Sequence, residues 1–317
     1  MEDLFVYKNI RPMLIGSSGQ AFDSPDHIFE LKLDGERCLA YLDGNGTDLR
    51  NKRNMKMIMK VPELSDLHLR VRTRCILDGE LIIVRDGKPD FFEIQRRSLT
   101  SDPFKIGLAS KRYPATFTAF DILYHKDRQV TDLSLMERKQ LLAETVMENE
   151  RLAISRYIEN DGIAFYKLAE ENGLEGIVAK KKESRYLPGV RTKEWIKIKN
   201  LIDEDFVVCG YIEKEPGIVS LVLGQYGSRG SENKSLIYKG HVTLGISTSD
   251  FHIVKSVRRL DDPPFEHVPP GNRNAIWIEP VLVCTVKYMM KTPGGSMRQP
   301  VFKGLRDDKE PEDCISE

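Results

Sequence analysis

A chain of 317 residues with 40% hydrophobic and 30% charged side chains has the apolar content of ordinary cores and exceeds the size of one, so two globular domains are expected and a disordered or fibrous chain is excluded. Lys plus Arg (48) balance Asp plus Glu (48), so net charge decides nothing about a nucleic-acid partner, whose affinity follows local fields. Met1 to Pro12 has no apolar run of signal length, and the five cysteines (Cys38, Cys75, Cys209, Cys284, Cys314) lack zinc spacing, which points to a cytoplasmic chain with no membrane span.

In chain order, His27 to Leu33 and Arg37 to Leu42 read as strands joined by the turn-forming Asp34-Gly35-Glu36. Cys75 to Leu77, Glu80 to Val84 and Thr116 to Tyr124 are further strands, with a helix predicted from Asp90 to Ser98. Ser134 and Glu137 form a capping-box pattern opening a helix whose Leu141 and Leu142 face inward. Gly176 to Ala179 and Glu194 to Lys199 close this part. From Gly176 to Asn200 eight basic residues stand against two acidic ones, a local excess that by itself reads as a solvated face.

After Asn200 the pattern changes to short strands: Phe206 to Tyr211, Gly217 to Leu223, Leu236 to Leu244 and Val281 to Val286, interrupted by a helix at Thr248 to Leu260. Short strands with one helix suggest a small barrel of the oligonucleotide-binding type. The boundary falls at Leu201-Ile202-Asp203-Glu204.

The chemistry-bearing residues follow the same order. Lys32-Leu33-Asp34-Gly35-Glu36-Arg37 puts an amine where a strand runs into a turn; alone it reads as an exposed lysine. Asp78 and Glu80, in Asp78-Gly79-Glu80-Leu81, share a strand face, where two carboxylates repel unless a cation or a ribose hydroxyl meets them. Phe120 shares a face with Thr118 and can stack on a base. Glu175 starts a strand, and Trp195-Ile196-Lys197-Ile198-Lys199 alternates so that the lysines share one face and the isoleucines the other.

Together and in this order these segments resemble the motifs shared by ATP-dependent DNA ligases, RNA ligases and mRNA capping enzymes. Pro280 to Val283 and Met297 to Lys309, with the R-x-D-K of Arg306-Asp307-Asp308-Lys309, narrow the likeness to bacterial ATP-dependent DNA ligases, including the ligase domain of multifunctional end-joining enzymes. The resemblance implies an α+β chain. A nucleotidyltransferase (ATP-grasp-like adenylation) domain at residues 1–200 precedes an OB-fold β-barrel domain at residues 201–317.

It further implies that Lys32 attacks the α-phosphate of ATP and carries AMP as a phosphoramidate, passing it to a 5′-phosphate that a 3′-hydroxyl then displaces. Glu30, Arg37, Arg50, Glu80, Phe120, Glu175, Lys197, Lys199, Arg306 and Lys309 would bind the nucleotide. Phe120 would stack on adenine and Glu80 would accept from the ribose. Glu80 and Glu175 would hold a divalent metal, Mg²⁺ or Mn²⁺, and Lys197, Lys199 and the metal would discourage the Lys32 ammonium. Asp34 and Arg298 would meet DNA. The usual S-R-N-G appears as Leu49-Arg50-Asn51-Lys52-Arg53-Asn54, where Arg50 is preferred to Arg53 because Asn51 follows it.

The expected substrate is nicked double-stranded DNA, in repair, replication or recombination. With no DNA-wrapping domain before Met1, a monomeric enzyme is expected to need a helper such as a Ku-type end binder, or simply a high local concentration of nicks. The competing readings are an RNA ligase or GTP-using capping enzyme, which share K-x-D-G, and a non-catalytic scaffold, which should have lost a catalytic residue.

Overall fold

The computed structural model describes residues 4–85, 87–215, 217–227, 235–292 and 295–316. The chain divides into two compact units, Met1–Asn200 and Leu201–Glu317.

The first unit is built on two sheets. One has five strands in the order Leu14–Ser18, Arg191–Lys199, Gly176–Lys181, Ser24–Leu31, Tyr157–Asn160; the other is seven-stranded and runs Gly46–Asn51, Glu36–Asp43, Cys75–Arg85, Ala115–His125 along its main path. Their facing sides share a core in which Ile28, Val178 and Trp195 of the first sheet meet Leu39, Tyr41, Ile76 and Leu123 of the second. Period-two alternation sends Phe29, Ile177, Ala179 and Ile198 to the opposite face, where Phe165 and Ala169 of the Gly162–Glu171 helix cover them. The far side of the seven-stranded sheet packs Cys38, Ala40, Leu77 and Phe117 against Ile94 and Leu142, from the helices Phe91–Leu99 and Leu135–Thr145.

These helices start where the sequence provides caps. Asp90 accepts from the Glu93 N–H at 3.0 Å, and Ser134 with Glu137 forms the expected capping box. Each such cap is worth about 1 kcal/mol. Asp102-Pro103 opens a further helix, Pro103–Arg112, that the apolar pattern did not reveal.

Two sequence expectations change here. Cys75–Arg85 is one strand, not two, because Gly79 sits inside it: a Cβ there would meet the Phe117 ring at 2.5 Å and the Thr118 carbonyl at 2.6 Å. Nor do the strands on either side of Asp34-Gly35-Glu36 form a hairpin. Ser24–Leu31 pairs with Gly176–Lys181 and Tyr157–Asn160, whereas Glu36–Asp43 pairs with Gly46–Asn51 and Cys75–Arg85. Residues 32–35 therefore cross from one sheet to the other.

In the second unit Ile202–Glu215 pairs with Ile218–Tyr226 and with Ile276–Tyr288, Ile218–Tyr226 with Leu236–Val242, and Ile276–Tyr288 with Val301–Arg306. A parallel bridge between Leu244 and Val301, with the Phe302 N–H donating to the Leu244 carbonyl at 2.8 Å, closes the circle. Numbering these five strands by sequence gives the cyclic order 1-2-3-5-4, with the helix Thr248–Ser256 between the third and fourth, the small barrel expected. That helix ends four residues earlier than the sequence suggested, because residues 259–260 turn back to pair with Ile276–Tyr288.

Candidate active site

The crossover at residues 32–35 opens a pocket at one end of the space between the two sheets. The Lys32 N–H still bonds to the Gly176 carbonyl of the first sheet at 2.9 Å, while Arg37, opposite Glu80, already belongs to the second. Two glycines make the crossing possible. A Cβ on Gly35 would lie 2.1 Å from the Leu81 carbonyl, and Gly176 has φ +133° with its Cβ position 2.1 Å from the Ile198 carbonyl. Glu30, Lys32, Arg37, Glu80, Phe120, Ser155, Lys180 and Trp195 are among the residues lining the pocket.

At its mouth the Lys32 ammonium donates to Glu175 Oε2 at 2.7 Å, and Lys199 Nζ stands 3.2 Å from the other oxygen of the same carboxylate. The Glu175 side chain is only 4% exposed, so one buried carboxylate holds two amines on the pocket side. Burial pulls Lys199 below the usual lysine range and the positive charge of Lys32 adds to it, against the attraction of Glu175. The register of Arg191–Lys199 puts Trp195, Lys197 and Lys199 on the pocket face, and Ile196 and Ile198 on the other, as the alternation required.

Phe120 owes its position to an irregularity. Asp78 pairs with Asp121 and Gly79 with Ala119, which leaves Phe120 as the extra residue of a bulge, turned into the pocket. It meets Trp195 edge to face with ring centroids 6.3 Å apart. Lys180 Nζ stands 4.4 Å from the Phe120 centroid and 4.3 Å from that of Trp195. The same ammonium is 3.1 Å from Glu30, whose other oxygen is 2.5 Å from Lys139. Burial works against the Glu30 carboxylate, yet the two lysines outweigh it and lower its pKa, while burial brings Lys180 down to about 8.

Arg37 is anchored from below. Its Nε donates to Asp78 Oδ1 at 3.0 Å and its Nη2 to Oδ2 at 2.5 Å. Tyr186 Oη donates to the same carboxylate at 2.6 Å and accepts from the Met13 N–H at 3.0 Å. Asp78 thus serves the guanidinium, and Arg37 keeps its charge because Asp78 outweighs the cost of burial. Glu80, two residues on, has no such partner among the described residues. Burial pushes it up to about 8, with Lys32 and Arg37 opposing and Asp78 and Glu175 reinforcing the shift.

A divalent ion fits this donor set. Among the described residues no cluster of three or more His, Cys, Asp or Glu could form a cage. Mg²⁺, however, is commonly held by one or two carboxylates together with substrate phosphates and water, and Glu80 beside Glu175 supplies two carboxylates whose mutual repulsion a cation relieves.

Not every predicted residue lies in this pocket. Arg50 does not line it; its guanidinium bonds Asp48 at 3.1 Å and Asn54 at 3.3 Å. In the second unit Arg306 and Lys309 converge on Asp205, Arg306 at 3.7 Å, and Arg306 also pairs with Asp308 at 2.6 Å. Asp34 belongs to the crossover, and Arg298 exchanges backbone hydrogen bonds with Met289 and Met290. Sequence reasoning had passed over Lys139, Lys180, Ser155 and the pocket role of Trp195. Only Trp195 carried a local signal, since it shares its strand face with Lys197 and Lys199.

Residues 12–199 match the family model of the ATP dependent DNA ligase domain, and residues 214–309 that of the ATP dependent DNA ligase C terminal region. The multifunctional non-homologous end joining DNA repair protein LigD of Mycobacterium tuberculosis is 29% identical over 329 residues, which cover 100% of this chain and 41% of that protein. The SPbeta prophage-derived DNA ligase-like protein LigB of Bacillus subtilis is 28% identical, over 94% of this chain and 99% of its own. The crystal structure of the ligase domain from M. tuberculosis LigD is 27% identical, covers 98% of this chain and 99% of its own, and superimposes with a TM-score of 0.54. The chain spans about two fifths of the length of the M. tuberculosis LigD protein (41%).

Proposed function

The chain belongs to the ATP-dependent DNA ligases, and from that premise we propose that it seals 5′-phosphate/3′-hydroxyl nicks in duplex DNA through AMP carried on Lys32. The observation that carries the reading is the Lys32 amine held at 2.7 Å by Glu175 at the mouth of a pocket walled by Phe120, Trp195 and Arg37.

In the first step the Lys32 nitrogen attacks the α-phosphorus of ATP; the bond from that phosphorus to the β-phosphate oxygen breaks and pyrophosphate leaves. Glu175, 2.7 Å from the Lys32 nitrogen, would take the proton the ammonium must shed. The adenine stacks on Phe120 with Trp195 closing the pocket, and Arg37, stiffened by Asp78 and Tyr186, meets the phosphate and ribose oxygens. Lys197 and Lys199 offset the charge that spreads over the phosphate in transfer. A Mg²⁺ or Mn²⁺ ion held by Glu80 and Glu175 would supply further neutralisation of the phosphates.

AMP then passes to the 5′-phosphate at a nick, near Asp34, and the 3′-hydroxyl displaces it to close the strand. Arg306 and Lys309, gathered on Asp205, would complete the pyrophosphate site when the barrel unit folds over ATP, and a second closure would bring Arg298 to the DNA. As the LigD relatives are named for non-homologous end joining, we place the activity in DNA repair with a Ku-type end binder as partner.

The test is incubation of the purified chain with Mg²⁺ and α-labelled ATP or GTP, then denaturing electrophoresis. Label from ATP alone, lost in Lys32→Ala, is the expected result. Label from GTP, or label persisting in the variant, overturns the mechanism. A nick-joining assay that favours an RNA 3′-hydroxyl strand over DNA overturns the substrate.

A further inference from the structure

The segment after Gly46–Asn51 is one that the catalytic reading leaves unused. From Lys52 to Lys60 the sequence has four basic residues and no acidic one. Lys60 is spent on the Thr100 carbonyl, but Lys52, Arg53 and Lys56 are exposed. Among the described residues none of these three forms an ion pair, whereas neighbouring Arg50 is held by Asp48 at 3.1 Å. Met55 stands among these charges and Met59 follows them, 53% and 72% exposed.

This loop is built to hold its shape. Asn51 is buried, and its side-chain oxygen accepts the N–H groups of both Arg53 and Met55 at 3.0 Å. The Asn54 N–H donates to the Asn51 carbonyl at 2.8 Å, the Asn51 N–H to the Met55 carbonyl at 3.0 Å, and a bridge joins Arg50 to Lys56. A solvated charge run has no need of such organisation.

Its place in the fold is also specified. Asn51 pairs with Cys38 at the start of Glu36–Asp43, the end of the sheet to which the Lys32 crossover delivers the chain. The Asn51 amide donates to Glu36 Oε1 at 2.9 Å, and Ser98 donates to the other oxygen of Glu36, the residue preceding Arg37. The three free cations therefore leave the sheet at the end where the nucleotide pocket opens.

We infer that Lys52, Arg53 and Lys56 form a preorganised clamp on the phosphate backbone of the duplex flanking the nick, with Met55 and Met59 against the sugars. This rests on the ligase reading above. Cations fixed in advance bind phosphates without an ordering cost, and each phosphate neutralised adds about 0.9 to the slope of log affinity against log salt.

The test is binding of a labelled nicked duplex between about 50 and 200 mM salt. The full chain is compared with Lys52→Ala/Arg53→Ala/Lys56→Ala and with the charge-retaining Lys52→Arg/Arg53→Lys/Lys56→Arg. The alanine variant should bind roughly tenfold or more weakly, with a slope shallower by about 2 to 3; the charge-retaining variant should keep the wild-type slope. Labelling of Lys32 by ATP should be unchanged in all three. An unchanged slope in the alanine variant overturns the inference, and so does its loss of Lys32 labelling, which would place the loop in the nucleotide site. If the wild type seals no DNA nick, the ligase reading itself falls; if it seals nicks and the slope does not move, only the clamp falls.

Discussion

The two units each gather basic residues on a carboxylate, and they do so in opposite surroundings. In the first, the side chains of Glu30, Lys139 and Lys180 are 3–4% exposed and lie among Phe120 and Trp195. In the second, Arg306 and Lys309 meet Asp205 with 34% and 38% of their side chains exposed. Burial raises the cost of breaking a pair from under about 1 kcal/mol to several. The first cluster is thus fixed before any ligand arrives, while the second can exchange partners at little cost, as the proposed closure over ATP would require.

The sharpest test of this contrast lies in the first unit, at Arg138, which is fully buried. Its guanidinium bonds Asp121 at 2.7 and 2.9 Å and the carbonyls of Leu133 and Ser184 at 2.6 and 2.9 Å. Asp121→Ala leaves that charge without its partner and should cost about 3–5 kcal/mol, a melting temperature lower by roughly 10 °C. A loss under about 1 kcal/mol would break the comparison.

A smaller effect is expected at Glu80. Its folded-state pKa of about 8 lies above its ordinary value, so the neutral carboxyl favours the folded chain, and that stability is lost as pH rises from the ordinary carboxylate range through about 8. Glu80→Gln should therefore gain in melting temperature over wild type as pH goes from about 5 to about 9, and added Mg²⁺ should narrow the gap. A difference that does not change with pH would remove the burial argument.

The smallest shift belongs to Asp205→Asn. Its melting temperature should stay within about 2 °C of wild type, in keeping with about 1 kcal/mol or less for an exposed pair. The rate of Lys32 labelling should change, because Arg306 and Lys309 lose their common anchor. A fall as large as that of Asp121→Ala would show that the second cluster is as structural as the buried Arg138–Asp121 pair.

What the sequence made legible follows from the range of its signals. Side-chain type and order located Lys32, Glu80, Phe120, Glu175 and Lys199, and period-two alternation put Lys197 and Lys199 on the pocket face. The capping box at Ser134 and Glu137 marked a helix start, whereas the caps at Asp90 and Ser247 emerge only in the structure. Pairing between distant strands leaves no local trace, so Ile177 beside Leu31 was invisible and the Lys32 turn looked like a hairpin. For the same reason the assignment of Arg37 to phosphate missed Asp78, and that of Glu30 to nucleotide missed Lys139, more than a hundred residues away. The bulge at Phe120 was hidden too, since one extra residue in a ladder depends on the partner strand.

The crossover at residues 32–35 has a mechanical consequence. Lys32 is fastened to one sheet and Arg37 to the other, so the gap between the nitrogen proposed to attack and the guanidinium proposed to bind phosphate is set by how closely the sheets pack. Ile28, Val178, Leu39 and Ile76, though remote from any reacting atom, then act as the shims of a vice. A displacement of about 1 Å between reacting groups can cost about a hundredfold in rate. Shaving a methyl group from this layer should slow adenylation more than it loosens the fold.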